Sequence, residues 1–208
     1  MLDIETIGTK LNSPVMQVAA IAFNPMGAIG VPHPARGLGQ APLWVFNRYL
    51  DVSKQYRPID QGALDWWQET NPDLYANIRQ RGRAAGTTPE SMLKALNLWL
   101  ESLPSPPTKF WSKGTVFDYG ILQHMALAAG VKPYWECEGR FRGIRCLRGL
   151  LDAYTMTGRT DPQEILGECD NWVMNHMKAH DALDDCIYQI KVVQECYRDK
   201  GFHDPVPS

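Results

Sequence analysis

Apolar patterning near the start of the chain predicts three strands. Residues 2–5 alternate apolar and acidic positions, and residues 15–23 (VMQVAAIAF) form an apolar run typical of a central strand. Residues 43–50 return to strand character after a stretch over 30–42 that is broken by glycine and proline and predicts a loop. A turn at 24–27 makes the second connection, so we expect a strand, a hairpin and a third strand.

The remainder of the chain is mainly helical in its patterning. Asp60 and Thr88 are helix caps, with Pro89 at a first helical position, and Gly130 is a helix stop. The helices predicted in this way cover residues 61–70, 72–80, 89–103, 117–129, 144–156, 161–169 and 182–198. We expect a short strand at 109–111, a flexible basic loop at 82–86 and irregular chain at 134–143. Early strands followed by alternating helices and strands predict an α/β fold, a mixed central sheet flanked by helices.

Length and composition are typical of one soluble domain. The chain has 208 residues, 44% hydrophobic and 21% charged, and we expect a single domain over 1–200 with a loose tail over 201–208. No apolar stretch approaches the ~20 residues of a membrane span, and we expect no signal peptide. The five cysteines form no C-x2-C pair, which indicates reduced thiols in the cytoplasm. A net charge of −2 argues against tight coating of duplexes, but not against catalysis at a strand end.

Paired acids open the chain. Asp3 and Glu5 are two residues apart on a predicted strand and therefore project from the same face. Their mutual repulsion is relieved when cations bind between them, and oxygen ligands suit Mg2+ or Mn2+. A lone D-x-E is more often an exposed strand end. Only Met1 and Leu2 precede Asp3, so we expect either a stub of a first strand or a true start that lies upstream.

Further acids follow at two helix starts. Asp118 lies at the beginning of a predicted helix, where a dipole-favoured acid is the alternative explanation. Asp185 lies one turn inside the last helix, and His180 lies just before it, where it could turn toward a metal-bound water. His176 and Asp181 share the same H-x4-D spacing. We favour His180 with Asp185, because the apolar helix face follows Asp185 directly and Asp181 is explained as a cap.

Together these residues resemble the DEDDh superfamily of 3′–5′ exonucleases, which have a ribonuclease H-like fold. The matching motifs are Asp3-Ile4-Glu5-Thr6, Phe117-Asp118 and His180 with Asp185. The segments around Leu64–Gln68 and 184–189 resemble a branch with phage DexA-type, exonuclease VIII-like and mycobacterial exoribonuclease-like proteins. The resemblance implies that Asp3, Glu5, Asp118 and Asp185 hold two divalent cations, Mg2+ or Mn2+, about 3.5–4 Å apart. It implies that His180 is the general base.

Substrate contacts are predicted from the same resemblance and from the aromatic residues. Thr6 and Ile7 would touch the terminal nucleotide, and Phe117 is a candidate for contact with a base. Trp66 and Trp67 point about 100° apart on a helix, so at most one faces the core squarely; either the other borders the substrate groove or both pack against loops. We assign Trp67 to the substrate. Two arginine groups could reach phosphates or be solvated surface: Arg79, Arg81 and Arg83, and Arg140, Arg142, Arg145 and Arg148.

The sequence therefore predicts a metal-dependent 3′–5′ exonuclease that releases nucleoside 5′-monophosphates from single-stranded 3′ ends. We favour DNA over RNA because the resemblance is phage-like. The alternatives are an exoribonuclease of the same mechanism, a non-catalytic nucleic-acid-binding module, and a metallophosphatase for small nucleotides. The sequence is compatible with a homodimer and predicts no membrane partner.

Overall fold

Two groups of short strands form the centre of the computed structural model, which describes residues 1–26, 44–157 and 179–199. Strands β1 (Leu2–Thr6), β2 (Val15–Ile21) and β3 (Val45–Tyr49) form an antiparallel sheet in that order. Strands β4 (Phe110–Ser112) and β5 (Ile144–Cys146) form a parallel pair, and β4 contacts β1. The arrangement is the α/β fold with mixed strand directions that the sequence predicts.

Helices cover the strands on both sides. They are α1 (Gln61–Thr70), α2 (Pro72–Ala85), α3 (Pro89–Ser102), α4 (Thr115–Ala129), α5 (Leu147–Met156) and α6 (Ala182–Asp199). Two stretches of 3-10 helix, Val52–Lys54 and Tyr134–Gly143, connect them. Both predicted caps are confirmed: the Asp60 side chain accepts from the amide of Ala63, and Thr88 forms a capping box with Ser91. Gly130 ends α4 in the left-handed conformation, as predicted.

The alternation of β1 divides its side chains between two layers. Leu2 and Ile4 are buried in the cluster that α3 and α4 complete. Met1 packs on the opposite side, in the cluster formed with α6. Since side chains alternate along a strand, Asp3 and Glu5 share the face of Met1 and are directed toward α6. A hydrophobic strand pattern thus delivers two acids to one side of the sheet.

A third apolar cluster holds the helical hairpin of α1 and α2 against the strands. Ile7, Met16 and Val52 contribute from the strands and loops, and Trp67 and Ile78 contribute from the two helices. This cluster lies directly after the D-x-E segment in the chain. It fixes α1 beside the end of β1 that carries the acids.

The predicted loop over 82–86 is wrong, because α2 continues through it to Ala85. Gly82 is buried where the helix crosses the end of β3, and a Cβ there would lie 2.2 Å from the carbonyl oxygen of Leu50. The glycine therefore permits close packing of a helix rather than marking a loop. The helix ends at Ala85 and is capped by Gly86, which has a left-handed backbone.

The predicted helix over 144–156 is wrong in its first three residues. Ile144–Cys146 forms β5, whose partners on β4 are Phe110, Trp111 and Ser112. The predicted irregular stretch over 134–143 is 3-10 helical. The predicted loop over 30–42, the helix over 161–169 and the tail over 201–208 lie outside the described residues. Within the described ranges, every helix is too short or too polar to cross a membrane.

Candidate active site

The acids of β1 are buried inside the fold. Asp3 lies opposite Ala19 on β2, and Glu5 lies opposite Gln17. Each of the two carboxylates retains only 8% of its exposure to solvent. Carboxylates so deeply buried need either a proton or a cation, because desolvation disfavours the charged form.

Asp118 joins them from the first turn of α4. The turn that links β4 to α4 brings this helix start beside β1, since β4 contacts β1. Asp118 is 3% exposed, and the backbone amide of Gly114 donates to its Oδ2 at 3.3 Å. Asp118 lies in the first turn of α4, as the dipole-based alternative also expects, and it is at the same time almost completely buried.

The start of α6 supplies the third segment. Asp181 caps this helix: its Oδ1 accepts from the amide of Leu183 at 3.0 Å, and its carbonyl accepts from the amide of Asp185 at 2.8 Å. Capping therefore explains Asp181, as expected for the favoured H-x4-D pair. His176, the histidine of the alternative pair, lies outside the described residues.

Gln17 of β2 forms hydrogen bonds with the start of α6. Its Nε2 donates to Oδ1 of Asp181 at 3.2 Å, and its Oε1 accepts from the amide of Ala182 at 3.3 Å. Because Gln17 pairs with Glu5 across the strands, this fully buried amide sets the distance between the two motifs. The sequence analysis did not identify Gln17.

His180 and Asp185 meet Glu5 at this junction. Their potential ligand atoms all lie within 4.8 Å of one another; Glu5 is buried, Asp185 is half-buried and His180 is the most exposed of the three. His180 has a backbone φ of 67°, a left-handed conformation that is uncommon for a histidine. The strained turn directs the imidazole toward the two carboxylates, and neighbouring contacts maintain it.

The four carboxylates influence one another's pKa, which indicates that they share one site. Burial raises the pKa of Asp3 well above its ordinary value, and the charges of Asp118 and Asp185 raise it further. Burial likewise raises the pKa of Glu5, followed by the charge of Asp3 and then of Asp185. Burial also raises the pKa of both Asp118 and Asp185 to about 6. The structure therefore brings together the distant acids on which the sequence interpretation depends.

Two further residues support this cluster, and sequence reasoning missed their roles. Gln189 lies one turn after Asp185 on α6, and its Nε2 donates to Oδ1 of Asp3 at 2.7 Å. Lys113 is an exposed residue in the turn before α4, and its charge lowers the pKa of Asp3 and of Asp185 against the effect of burial. The i, i+4 spacing of Asp185 and Gln189 is the one signal that could have indicated the first contact.

The donor set fits divalent metal ions. Mg2+ and Mn2+ prefer carboxylate oxygens, and four carboxylates with mutually unfavourable charge gain most from such ions. The shared negative charge of the four carboxylates exceeds the positive charge that Lys113 and Arg148 bring near them. The site therefore has the chemistry of a metal centre, although one histidine beside the acids could serve either as a ligand or as a base.

Only some of the residues predicted to contact the substrate are exposed to solvent. Trp67 is 3% exposed and its Nε1 donates to the carbonyl of Thr6 at 2.9 Å, so it belongs to the core and its assignment to the groove is wrong. Trp66 is the exposed member of the pair, at 40%. Ile7 is fully buried, which does not support its predicted contact with a nucleotide. Phe117 is half-buried beside Asp118.

The predicted arginine groups lie on regular elements. Arg79 and Arg81 belong to α2, where they donate to the hydroxyls of Tyr75 and Tyr49, respectively. Arg148 of α5 reaches the turn before α4, since a Cβ on Gly114 would lie 3.5 Å from its Nη1. Its charge contributes to lowering the pKa of Asp118. Arg148 of the second group thus has an electrostatic link to the acids.

Comparison with known proteins agrees with the interpretation of the chain as a nuclease. The chain is similar to the exodeoxyribonuclease of Enterobacteria phage T4, with 21% identity over 212 residues that cover 95% of this chain and 88% of the phage protein. No solved structure matches the chain significantly. Residues 1–197 match the model of the 3′–5′ exoribonuclease Rv2179c-like domain. The chain belongs to that family, and it is a 3′–5′ exonuclease.

Proposed function

We propose that this exonuclease depends on divalent metal ions and releases nucleoside 5′-monophosphates from single-stranded 3′ ends. The observation that carries the proposal is the gathering of four acids, three of them buried, and one histidine at the junction of β1, α4 and α6. A protein with no use for cations would bury such a cluster at a large cost in free energy.

Asp3, Glu5, Asp118 and Asp185 would hold the metal ions. Two Mg2+ or Mn2+ ions supply an activated water nucleophile and stabilise the leaving 3′ oxygen in reactions of this kind. Gln189 orients Asp3 through its 2.7 Å hydrogen bond, and the Gly114 amide orients Asp118. Such supporting bonds fix the ligand oxygens before any cation arrives.

His180 would accept the proton of the attacking water. Burial lowers the pKa of its imidazole, and the charge of Lys113 lowers it further. A lowered pKa favours the neutral imidazole, which is the form that can take a proton. The position of His180 on the turn before α6, next to Glu5 and Asp185, supports this role.

The preferred sugar is the finer part of the proposal. The name of the phage relative favours DNA, as the sequence analysis does, whereas the description of the family favours RNA. Proteins distinguish the two through the 2′-hydroxyl. We propose single-stranded DNA as the first substrate and single-stranded RNA as the second.

One assay tests metal dependence, polarity and sugar preference together. DNA and RNA oligonucleotides of one sequence, labelled at the 5′ end, are incubated with Mg2+, Mn2+ or EDTA, and Asp185→Asn is purified in parallel as a control for contaminating nucleases. We expect ladders that shorten from the 3′ end with either metal, and none with EDTA or the variant. Binding without digestion would instead support a non-catalytic module. Digestion in EDTA, or hydrolysis of mononucleotides alone, would contradict the proposal.

A further inference from the structure

Trp66 is placed against the proposed general base. The centroids of its ring and the His180 imidazole are 4.9 Å apart, and the ring planes meet at 79°. This is an edge-to-face contact at a favourable distance. Trp67 also lies edge-to-face with His180, but at 6.1 Å. The nearer contact therefore comes from the more exposed tryptophan, which has no place in the hydrophobic core.

The helix that carries Trp66 is rigidly attached to the acids. Trp67 anchors α1 to β1 through its buried ring and its hydrogen bond to the carbonyl of Thr6, the residue after Glu5. The rings of Trp66 and Trp67 are themselves in edge-to-face contact at 5.3 Å. Trp66 is therefore held beside the site through its neighbour's contact with β1, the strand that supplies two of the acids.

His180 needs such a support more than the carboxylates do. It lies in a left-handed turn outside the helix, and it is only half-buried. Asp185 is held within a helix, and Asp3 and Glu5 are held within a strand. An imidazole on a turn could rotate toward solvent unless a neighbouring group limits its orientation.

We propose that Trp66 is a positioning residue that holds the His180 imidazole toward Glu5 and Asp185. This inference rests on the proposed function, because it gives Trp66 a role through the general base. A tryptophan that stacked on a nucleobase would contribute mainly to substrate binding. A positioning residue contributes mainly to the rate of the chemical step, since small misplacements of a reacting group cost about 10²-fold in rate.

The test is a double-mutant cycle. It first requires that the wild type digests oligonucleotides. Variants Trp66→Ala, Trp66→Phe, His180→Ala and Trp66→Ala/His180→Ala are compared in single-turnover rate and KM, with Gln68→Ala on the exposed face of α1 as the matched control. We expect Trp66→Ala to lose about 10–100-fold in rate with little change in KM. We expect Trp66→Phe to recover most of the rate, because its ring can still contact the imidazole.

The double variant provides the sharpest readout. If Trp66 acts through His180, removing it from His180→Ala has no further effect on the rate. Equal losses from Trp66→Ala in both backgrounds, or a loss confined to KM, would overturn the inference. Trp66→Phe should match the wild type both in Mn2+ binding, measured by calorimetry, and in Tm, measured by thermal melting. This variant keeps the test valid even if Trp66→Ala folds poorly. Failure of the wild type to digest any oligonucleotide would refute the proposed function instead.

Discussion

Single residues in this protein are placed by hydrogen bonds that join distant parts of the chain. Gln17 joins β2 to the start of α6, and Gln189 joins α6 to β1. Both side chains are almost completely buried. A buried amide that loses its partner leaves a costly unsatisfied group, so each contact resists rearrangement of the site.

Removal of the His180 imidazole should slow catalysis without emptying the acidic cluster. We expect His180→Ala to lose about 10²–10⁴-fold in digestion rate, the usual contribution of a positioned base. Mn2+ affinity measured by calorimetry should be retained, because the four carboxylates remain. His176→Ala is the matched control, since that histidine has the alternative H-x4-D spacing. Greater damage from His176→Ala would show that the assignment of the base is wrong.

Loss of the Gln189 amide should weaken metal binding. Its Nε2 orients Asp3, and loss of such supporting contacts typically costs about 10–100-fold in metal affinity. We expect Gln189→Ala to raise the Mn2+ concentration that gives half-maximal digestion by this factor. Gln194→Ala is a close control, because that buried amide donates to the carbonyl of Asn24 rather than to an acid. Equal effects of the two variants would indicate general destabilisation instead.

At the scale of the elements, the helical hairpin of α1 and α2 determines what surrounds the site. Its contact with the end of β3 depends on Gly82, and its contact with β1 depends on Trp67. These two attachments set the position of Trp66 beside His180. A change that displaces α2 should therefore affect stability first and the site only indirectly.

Gly82→Ala tests this attachment. The added Cβ would lie 2.2 Å from the carbonyl oxygen of Leu50, so the helix must shift. We expect a loss of about 1–3 kcal/mol in the free energy of unfolding. That corresponds to a Tm lower by roughly 2–12 °C for a domain of this size. Gly62→Ala on α1 is the control, because its Cβ meets only Oδ1 of Asp60 at 3.5 Å, and it should leave the Tm unchanged or slightly higher. An unchanged Tm for Gly82→Ala would contradict the close packing.

Local signals made most elements predictable from the sequence. Asp60, Thr88 and Gly130 act within one helical turn, and each prediction based on them is confirmed. The shared face of Asp3 and Glu5 follows from strand geometry alone. Gly82 was misinterpreted because a glycine that ends a helix and one that permits close packing look alike in sequence. The strand β5 was missed because its three residues gain strand character only by pairing with β4.

The remainder of the site depends on contacts that no local pattern contains. Which of two adjacent tryptophans is buried depends on the rotation of α1 about its axis, which is set by packing on β1. The partners of Gln17, 164 and 165 residues away, are brought near only by the complete fold. Lys113 is likewise a single exposed lysine in a turn until the fold places its charge near Asp3 and Asp185.

At the scale of the whole molecule, a net charge of only −2 conceals a concentrated negative site. The four acids are contributed by residues 3 to 185, so the complete fold is required to assemble them. Folding brings like charges together, and their repulsion costs free energy. Cation binding offsets that free energy. Stability and metal binding are therefore thermodynamically linked.

The pH dependence of stability measures that linkage. Burial raises the pKa of Asp118 and Asp185 to about 6 from an ordinary value of 3.8. Between these values the folded protein binds more protons than the unfolded chain, so the free energy of unfolding falls as pH rises from about 4 to about 6. We expect the Tm of the metal-free protein to decline over this range, more steeply for the wild type than for Asp118→Asn, because the other titrating groups are common to both.

Metal ions should oppose this decline, because they bind the deprotonated carboxylates. Saturating Mn2+ is expected to raise the Tm more at pH 7.5 than at pH 5.5, where protons compete for the same oxygens. Asp118→Asn in the absence of metal should be more stable than the wild type at pH 7.5, since one buried charge has been removed. Thermal melts with EDTA or Mn2+ at both pH values measure each difference. A Tm increase that is independent of pH and unchanged in Asp118→Asn would mean that Mn2+ binds elsewhere, because Asp118 and Asp185, whose pKa is raised to about 6, bind protons at pH 5.5 in competition with the metal.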